Sequence, residues 1–464
     1  MPTNATSPRT VSVVIPAHHR KVELRRTLRS LTVQSLPQDR FEVIVVDDGS
    51  PEGMHRESVA ALEKFASSRY LRHDTAKGVS AARNAGAAHA TGDLLVFLDV
   101  DCMAHPDCLQ AHLDAQQGEP IAACGYVYGR ELTPAIWDLR LGTDWDLDDP
   151  AGTFARAADT PAFADPLGLV LNPPLPTDWA FFWTHNVSIP RRVFEACGGF
   201  LEDFEIKGVE DLEIGLRLQR DDVPTIFLDA ARALHQPHSR GRHDDLQRDR
   251  RNDLLLLRRH PDPDVEAVCS FDIVNARDLV PQLESFANRL DRSAIDVAGI
   301  TALPATLAEA RAANRVLLLG AADGWPADLD TPDRVVSPLE KPGEPDRLPF
   351  LGTRLPFDHG HFDIAIVTDY WRLLPERTLC RILEELLRCS TTVFVLADVA
   401  SAPAAEPDPV LSAALDRHDR PFWEFTVALR RELHQFELTE REAAPTGARA
   451  YLVTAVDWPT TRLP

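Results

Sequence analysis

The stretch DLLVFLDVDC, residues Asp93–Cys102, decides the fold of the first half of this chain. Its five consecutive apolar residues have the length of a buried strand in a parallel sheet rather than that of a helix. Asp99 and Asp101 follow at the carboxyl end, where open α/β sheets form their ligand crevices. Two carboxylates so close together repel each other unless a cation or several donors neutralise them. The pair predicts a site for Mg²⁺ or Mn²⁺ bridging to a substrate diphosphate, and a solvated acid pair in a turn is the alternative.

The composition is that of an ordinary globular protein, and its charge argues against binding to polyanions. The 464 residues are enough for two or three domains. The net charge of −22 argues against binding to nucleic acid or anionic membranes, since both need clusters of Lys and Arg. No apolar run approaches the ~18 residues of a spanning helix, and residues 1–10 lack the features of a leader. We therefore expect a cytoplasmic protein without a membrane segment. The seven cysteines form no Cys-x-x-Cys pair, so neither a disulfide framework nor a zinc site is indicated.

The residues before the acid pair alternate between strand and helix patterns. Segments 11–16 and 41–46 are short apolar runs, and segments 21–31 and 77–86 have helical spacing or composition. Strand, helix, strand, helix, strand is the order of a parallel, doubly wound nucleotide-binding half. No Gly-x-Gly-x-x-Gly follows the first strand and no Gly-Lys-Ser/Thr loop is present, so a diphosphate needs another means of binding. A metal at the acid pair would supply it.

Four blocks of sequence, in this order and spacing, resemble the family 2 glycosyltransferases of the GT-A fold. The blocks are Val13–Ala17, Val45–Ser50, Gly78–Gly86 and Phe97–Asp101. The resemblance implies an α/β domain of the GT-A type for nucleotide-diphospho-sugars, with Mn²⁺ or Mg²⁺ as the cofactor. It also implies an inverting enzyme that moves a sugar from a nucleotide diphosphate donor, expected to be a UDP-sugar, to an acceptor.

The resemblance assigns donor-binding roles to residues at the ends of the first strands. Pro16, Ala17 and Asp48 would contact the base and ribose, and Asp47 would support their loop. Arg83 would approach the nucleotide or its phosphates, and Asp99 would contact the donor as well as the metal. From the residues alone, the two adjacent acids also suit an ordinary turn, and the arginine also suits the surface of a helix.

The stretch Gly208–Leu218 has two acids at the start of a helix whose apolar residues face a core. Acidic residues are favoured there by the helix dipole, so Glu210 and Asp211 have an ordinary structural explanation. The pair also resembles the Glu-Asp motif of the family, whose Asp is the usual catalytic base. The resemblance implies that Asp211 takes the proton of the acceptor as it attacks the anomeric carbon, and that Glu210 binds acceptor or sugar hydroxyls.

A third metal ligand is expected among the histidines that follow the next strand. Imidazole is a common ligand for ions of the Mn²⁺ class, and members of the family often have a histidine here. We favour His235 over His238, and ordinary loop histidines are the alternative. With Asp99 and Asp101, His235 completes the expected metal set.

An irregular segment rich in Asp and Pro, 130–178, lies between the strand that precedes Asp99 (the metal strand) and the helix that begins with Glu210 and Asp211 (the base helix). Inserts of this kind in the family commonly form part of the acceptor site, and a disordered loop is the alternative. With no membrane segment expected, the acceptor would be soluble: a peptide, a natural product or a glycan precursor.

The second half follows a different pattern, which resembles a class I methyltransferase domain. The resemblance rests on Arg315–Gly324 and, more specifically, on Leu355–Leu396. Its cofactor end departs from the family, because Leu318 replaces the acidic residue and the gap after Gly324 is too short and too rich in Pro for a helix. We therefore expect a degenerate, Rossmann-like α/β domain that serves dimerisation or acceptor docking.

The expected domains are a glycosyltransferase domain over 1–260, a helical connector over 261–310 and a methyltransferase-like domain over 311–464. Two other interpretations stay open. The protein could be a bifunctional glycosyltransferase and S-adenosylmethionine-dependent methyltransferase, or a non-catalytic protein that binds nucleotide sugars. The sequence leaves open the sugar, the acceptor and the oligomeric state, for which a homodimer through the C-terminal domain is one hypothesis.

Overall fold

In the computed structural model the chain forms two compact units, Met1–Asn252 and Asp253–Pro464. The sequence suggests a boundary at 260, whereas the segment 261–310 belongs to the second unit. The structure describes residues 10–50, 60–129, 145–160, 165, 178–204, 209–236, 245–271, 273–290, 297–341, 343–398, 409, 413, 435–445 and 448–456.

The first unit is built on a mixed sheet. The described strands are β1 Val11–Ala17, β2 Phe41–Asp48, β3 Ser68–His73, β4 Leu94–Leu98, β5 Cys102–Ala104, β6 Ala122–Tyr128, β7 Asn186–Pro190 and β8 Thr225–His235. Their order in the sheet is β3-β2-β1-β4-β7-β6-β8-β5. Strand β1 pairs in parallel with β2 and β4, whereas β4 pairs with β7 in the antiparallel sense. The sequence therefore predicted β1, β2 and β4 but not β3, which pairs in parallel with β2.

Helices cover this sheet. The helices described in the first unit are α1 Lys21–Leu31, α2 Val79–Ala88, α3 Cys108–Ala115, α4 Pro150–Ala158, α5 Arg191–Ala196 and α6 Glu210–Arg220, with short 3-10 helices at Gln38–Arg40 and Asp178–Phe181. Helix α7 Asp245–Arg259 begins in the first unit and ends in the second. No helix in the described part of the chain is both long enough and apolar enough to cross a membrane.

The side chains of β1 alternate between two apolar layers. Val13 and Ile15 belong to one layer, which includes the buried side of α1. Val14 belongs to the other, which includes Phe194 of α5 and Ile214 of α6. A strand covered on both faces must be apolar at nearly every position, which is why β1 and β4 are continuous apolar runs. Helices on both faces confirm the expected α/β class.

The carboxyl ends of β1, β2 and β4 meet at one edge of the sheet. In the register of β1 and β2, Ala17 lies beside Asp47. Strand β4, parallel to β1, ends at Leu98, immediately before Asp99. Parallel neighbours end at the same edge, so the proposed nucleotide residues and the acid pair share it.

The second unit has a sheet of its own. Its described strands are β9 Val316–Leu319, β10 Arg334–Val336, β11 Arg347–Leu348, β12 Phe362–Val367, β13 Ser390–Asp398, β14 Gln435–Ala443 and β15 Ala448–Val456, and its helices are α8 Pro263–Phe271, α9 Ile273–Arg289, α10 Pro304–Ala312 and α11 Glu376–Cys389, with 3-10 helices at Ala298–Ala302 and Asp369–Leu373. The sheet order is β11-β10-β9-β12-β13-β15-β14, with antiparallel pairing only at β13-β15 and β15-β14 among the described pairs.

The connection between β9 and β10 contains no helix. Residues 320–333 are all described, and they form turns, bends and irregular backbone. A parallel α/β sheet usually presents the N-terminus of a helix to its ligand after such a strand. No helix follows β9 in this position, as the short gap containing Pro326 and Pro332 predicts.

Candidate active site

The chain turns sharply after β4, and this turn separates the two acids of the metal strand. The N–H of Cys102 donates to the carbonyl of Asp99 at 2.9 Å. The next residues form β5, in which Cys102 lies opposite His235 of β8. As a result Asp101 lies near His235, with 3.8 Å between Oδ1 and Nε2. Both acids are nearly buried, at 7% exposure for Asp99 and 6% for Asp101.

Arg83 of α2 joins Asp99 to the first residue of α6. Its Nη2 donates to Asp99 Oδ1 at 3.1 Å, and its Nη1 donates to Glu210 Oε1 at 3.0 Å. The guanidinium is fully buried, and Glu210 is 1% exposed. Burial acts to lower the pKa of Arg83, but the charges of Asp99, Glu210 and Asp211 outweigh it and raise that pKa. Asp99 and Glu210 therefore both bind one buried cation, whose pKa the charge of Asp211 also raises.

This position of Arg83 differs from the contact with nucleotide or phosphate that the resemblance implies. A side chain with no exposed surface presents no atom to a ligand in this conformation. The described contacts of its guanidinium go to two carboxylates and to the ring of Phe200, whose centroid is 5.4 Å away.

Asn84, a residue that the sequence analysis did not single out, holds that ring in place. Its Nδ2 donates to the carbonyl of Phe200 at 2.8 Å, and its Oδ1 accepts from the N–H of Phe200 at 2.9 Å. The adjacent Arg83 and Asn84 thus both contact Phe200. The position of Asn84 beside Arg83 in the Gly78–Gly86 block was the sequence feature from which its role could have been predicted.

Gly86 allows α2 to lie close to the sheet. A Cβ at this position would meet Val14 Cγ1 at 2.3 Å and Val46 Cγ2 at 3.2 Å. Residues three apart on a helix share a face, so Arg83 is directed to the same side as Gly86. Close approach of the helix is what brings the guanidinium to the carboxylates.

Helix α6 has a similar close contact. A Cβ on Gly215 would meet the carbonyl oxygen of Trp179 at 2.4 Å, so only glycine lets α6 rest on the 3-10 helix Asp178–Phe181. Arg217 bonds to Glu213 on the same helix and donates to the carbonyls of Cys197 and Gly199. These contacts hold the middle and the last turn of α6, and Asp211 in its first turn is half-buried.

Asp48 organises the backbone at the proposed nucleotide edge. Its Oδ1 and Oδ2 accept from the N–H groups of Lys77 and Gly78, each at 2.8 Å. The Nδ1 of His73 lies 2.7 Å from Asp48 Oδ1, and the Nδ1 of His18 lies 2.8 Å from the Asp48 carbonyl. Neither histidine was singled out from the sequence. Asp48 therefore ties the end of β2 to the start of α2.

Asp47 holds the loop that follows β2. Its Oδ1 accepts from the N–H of Ser50 at 3.0 Å, and its Oδ2 accepts from the hydroxyl of Tyr70 at 2.6 Å. Burial acts to raise the pKa of Asp47, but the hydrogen bonds from Ser50 and Tyr70 outweigh it and lower that pKa. The carboxylate is thus stabilised in its charged form. Pro16 and Ala17 lie opposite Val46 and Asp47 in the register of the sheet.

The expected metal donors come together only in part. Among the residues that the structure describes, no group of three His, Cys, Asp or Glu side chains has the arrangement of a metal site. Asp101 and His235 are neighbours, while Asp99 contacts Arg83. Carboxylate oxygens with one imidazole nitrogen are nevertheless a donor set that suits Mn²⁺ or Mg²⁺. His238 and most of 130–178, including Trp137, lie outside the described residues.

The sequence of residues 12–190 matches the family described as Glycosyl transferase family 2. Two relatives, both called validoxylamine A glucosyltransferase, are similar over most of the chain. The protein from Streptomyces hygroscopicus subsp. limoneus is 30% identical over 388 residues, which cover 77% of this chain and 84% of the relative. The protein from Streptomyces hygroscopicus subsp. jinggangensis (strain 5008) is 29% identical over 388 residues, which cover 77% and 90%.

A solved mannosyltransferase from Pyrobaculum calidifontis, in complex with GDP-Man and Mn²⁺, aligns with 18% identity and a TM-score of 0.39. The alignment covers 55% of this chain and 64% of that chain.

Proposed function

The chain belongs to glycosyl transferase family 2 and is a glycosyltransferase, and from this premise we propose a metal-dependent transfer from a nucleotide diphosphate sugar with inversion at the anomeric carbon. The donor we propose is a UDP-sugar, and the two similar glucosyltransferases favour glucose as its sugar. The acceptor we propose is a natural product, because the two relatives are named as glucosyltransferases of validoxylamine A.

One observation supports this proposal above the others: Arg83 bonds to Asp99 and to Glu210 at once. The acid that follows β4 and the acids that begin α6 come from opposite ends of a long stretch of sequence. If Glu210 and Asp211 only capped the helix, no buried link to Asp99 would be needed. A shared reaction centre requires such a link.

We assign the catalytic base to Asp211. The proton of the acceptor hydroxyl moves to its carboxylate as the acceptor oxygen forms a bond to the anomeric carbon of the donor. The bond between that carbon and the diphosphate oxygen breaks, and the nucleoside diphosphate leaves from the opposite face. Attack from the face opposite the leaving group inverts the configuration.

Glu210 and Arg83 are positioning residues in this proposal. With its carboxylate held by Arg83, Glu210 fixes the first turn of α6 and therefore the direction of Asp211. Glu210 Oε2 also accepts from the N–H of Val209 at 3.1 Å.

A divalent cation suits the chemistry of Asp99, Asp101 and His235. One arginine beside several nearly buried carboxylates leaves net negative charge, which is costly in a low dielectric. We propose that these three residues hold Mn²⁺ or Mg²⁺, which when bound would neutralise the charge of the departing diphosphate. Pro16, Ala17 and Asp48 line the proposed nucleotide pocket beside them.

For the second unit we propose a methyltransferase-like domain that has lost its cofactor site and serves acceptor docking or dimerisation. The absence of a helix from residues 320–333 supports this over a bifunctional enzyme, since the polar end of a cofactor would lack its usual cradle. Calorimetry with S-adenosylmethionine tests it, and micromolar binding would overturn it.

The proposed activity is tested by incubating the purified protein with Mn²⁺ and a panel of nucleotide sugars. We expect release of UDP from a UDP-sugar, UDP-glucose first, that increases when a suitable hydroxylated acceptor is added. Analysis of the product by NMR gives the anomeric configuration. Binding of UDP without turnover on any acceptor would instead indicate a non-catalytic binding protein.

A further inference from the structure

A positively charged pocket beside α1 has no role in the chemistry described above. Its volume is about 530 Å³, within the range of roughly 300–1,000 Å³ that is usual for small-molecule sites. Arg25 and Arg29 of α1 line it together with Lys64, and Asp148 is its one acid. The pocket therefore has three cationic side chains and one carboxylate, in a chain whose net charge is −22.

Two of the three cations have no acid to neutralise them. The side chains of Arg29 and Lys64 form neither an ion pair nor a hydrogen bond within the described part of the chain. Arg25 and Arg29 are four residues apart on one helix, so their like charges lie on the same face and repel each other. A bound anion would relieve this repulsion.

The acid of the pocket neutralises its neighbours only in part. Asp148 Oδ1 lies 3.5 Å from Nη2 of Arg25 and 3.5 Å from Nε of Arg26. The side chains of Arg25 and Asp148 are 60% and 41% exposed, so water screens their attraction. Nε of Arg26 is buried and donates no hydrogen bond to any described residue. One carboxylate oxygen thus serves two arginines, and donors of Arg25 stay open to a second anion.

The pocket extends toward the edge of the sheet opposite to the proposed reaction site. Helix α1 joins the parallel strands β1 and β2, so Arg29 in its last turn lies toward the edge where β2 begins. Lys64 precedes β3, which is parallel to β2 and begins at the same edge. Asp48 ends β2 and Asp99 follows β4 at the other edge. A ligand of this pocket is therefore not the donor bound for transfer.

The side chains of the pocket determine the class of ligand that suits it. A guanidinium binds a phosphoryl group through two parallel hydrogen bonds, and an ammonium binds it as a point charge. Three cations around one cavity suit several adjacent phosphoryl groups better than a single carboxylate. The remaining wall includes Leu28 and Ala61, which add no charge. A cavity of this volume also suits a small molecule rather than a membrane, which the net charge of the chain opposes.

We propose that Arg25, Arg29 and Lys64 form a second anion site, separate from the donor site and independent of a metal, for a small molecule with two or more adjacent phosphoryl groups. Asp148 competes with this ligand for Arg25. The ligand displaces its carboxylate when it binds, and Asp148 lies two residues before the start of α4. Ligand binding is therefore felt by the segment that leads into α4.

Titration calorimetry on the full chain, with sodium tripolyphosphate as the probe and EDTA present, tests the site. We expect binding by the wild type, and a dissociation constant about tenfold higher or more in the double variant Arg29→Gln, Lys64→Gln. Asp148→Asn removes the competing charge and should lower the dissociation constant about threefold.

The double variant Arg192→Gln, Arg220→Gln is the matched control, because it removes two exposed positive charges elsewhere on the first unit. It should bind tripolyphosphate as the wild type does. No binding by the wild type would overturn the proposal. An equal loss in both double variants would also overturn it, since general attraction to a positive surface would then explain the binding.

Two further probes identify the source of the phosphoryl groups. ATP that binds tighter than tripolyphosphate, with the same loss in Arg29→Gln, Lys64→Gln, would support the site with a nucleotide as its ligand. Equal affinities would support it with the phosphate chain alone as the recognised group. Co-sedimentation with phosphatidylserine vesicles that depends on Arg29 and Lys64, without binding of tripolyphosphate, would assign the surface to a membrane and overturn the proposal.

Discussion

Asp99 and Glu210 accept hydrogen bonds from the same guanidinium, that of Arg83, at 3.1 and 3.0 Å. One acid follows a strand and the other begins a helix, so a single buried cation sets the distance between the proposed metal site and the proposed base. The contact geometry also makes the cation costly to remove, because two nearly buried carboxylates would lose their partner.

Arg83→Met should therefore destabilise the protein strongly. We expect the free energy of unfolding to fall by about 3–5 kcal/mol, as for other buried ion pairs that lose one partner. Arg83→Lys should lose less stability but most of the activity, since an ammonium cannot bridge two carboxylates as a planar fork does. Denaturant unfolding followed by circular dichroism measures the first effect. Arg449→Met removes the exposed pair with Glu440 and serves as the control, with no measurable change in the denaturation midpoint expected.

Asp211→Asn should abolish sugar transfer while leaving UDP binding intact. The amide cannot accept the proton of the acceptor, and loss of a general base costs roughly 10²–10⁴-fold in rate. Initial rates and calorimetric titration with UDP measure the two properties. Asp221→Asn, at the exposed end of the same helix, should keep wild-type rates. Full transfer by Asp211→Asn would remove this residue from the mechanism.

His235→Gln should weaken binding of Mn²⁺, because the amide is a poorer ligand than imidazole for this ion. We expect the dissociation constant, measured by electron paramagnetic resonance of free Mn²⁺, to rise about tenfold, which corresponds to about 1.4 kcal/mol. His238→Gln serves as the matched variant. If His238→Gln weakens Mn²⁺ binding more than His235→Gln does, the metal ligand is His238.

Gly86→Ala should displace α2 from the sheet, because its Cβ would lie 2.3 Å from Val14 Cγ1. Overpacking of this kind costs about 1–3 kcal/mol of unfolding free energy. The double variant Val14→Ala, Gly86→Ala removes the clashing methyl groups and should recover part of that loss. If the single variant unfolds at the denaturant concentration of the wild type, the close approach of α2 is not required.

Glu42 should make stability depend on pH in the acid range. It accepts from the Ser12 hydroxyl at 2.7 Å and from the Thr91 N–H at 2.6 Å. Burial acts to raise the pKa of Glu42, but these hydrogen bonds outweigh it, so its pKa in the folded protein is below the ordinary 4.5. The stabilisation is therefore fully present above pH 4.5 and is lost as the pH falls through the lowered value.

Glu42→Gln tests this linkage. At pH 7 the variant should be less stable than the wild type by about 1–3 kcal/mol, the cost of weakening buried hydrogen bonds to a charge. The difference should shrink as the pH falls below 4.5, because the wild type then loses the same interaction. A difference that stays constant from pH 7 to pH 3 would mean that the charge of Glu42 does not contribute.

The sequence by itself determined strands β1, β2 and β4 and the edge at which they end. Continuous apolar runs such as Leu94–Leu98 identify strands buried on both faces, and this property is local. The acids after these strands could be assigned to that edge because parallel strands end together. The same local logic explains why Pro326 and Pro332 exclude a helix between β9 and β10.

Only the tertiary structure decided which charged groups share a site. The burial of Arg83 between Asp99 and Glu210 depends on the close contact of α2 with the sheet, and the proximity of Asp101 to His235 depends on the pairing of β5 with β8. Both arise from contacts between residues distant in sequence, which no local periodicity encodes. Ion-pair energies also depend on burial, and burial is a property of the packed chain rather than of a residue and its neighbours.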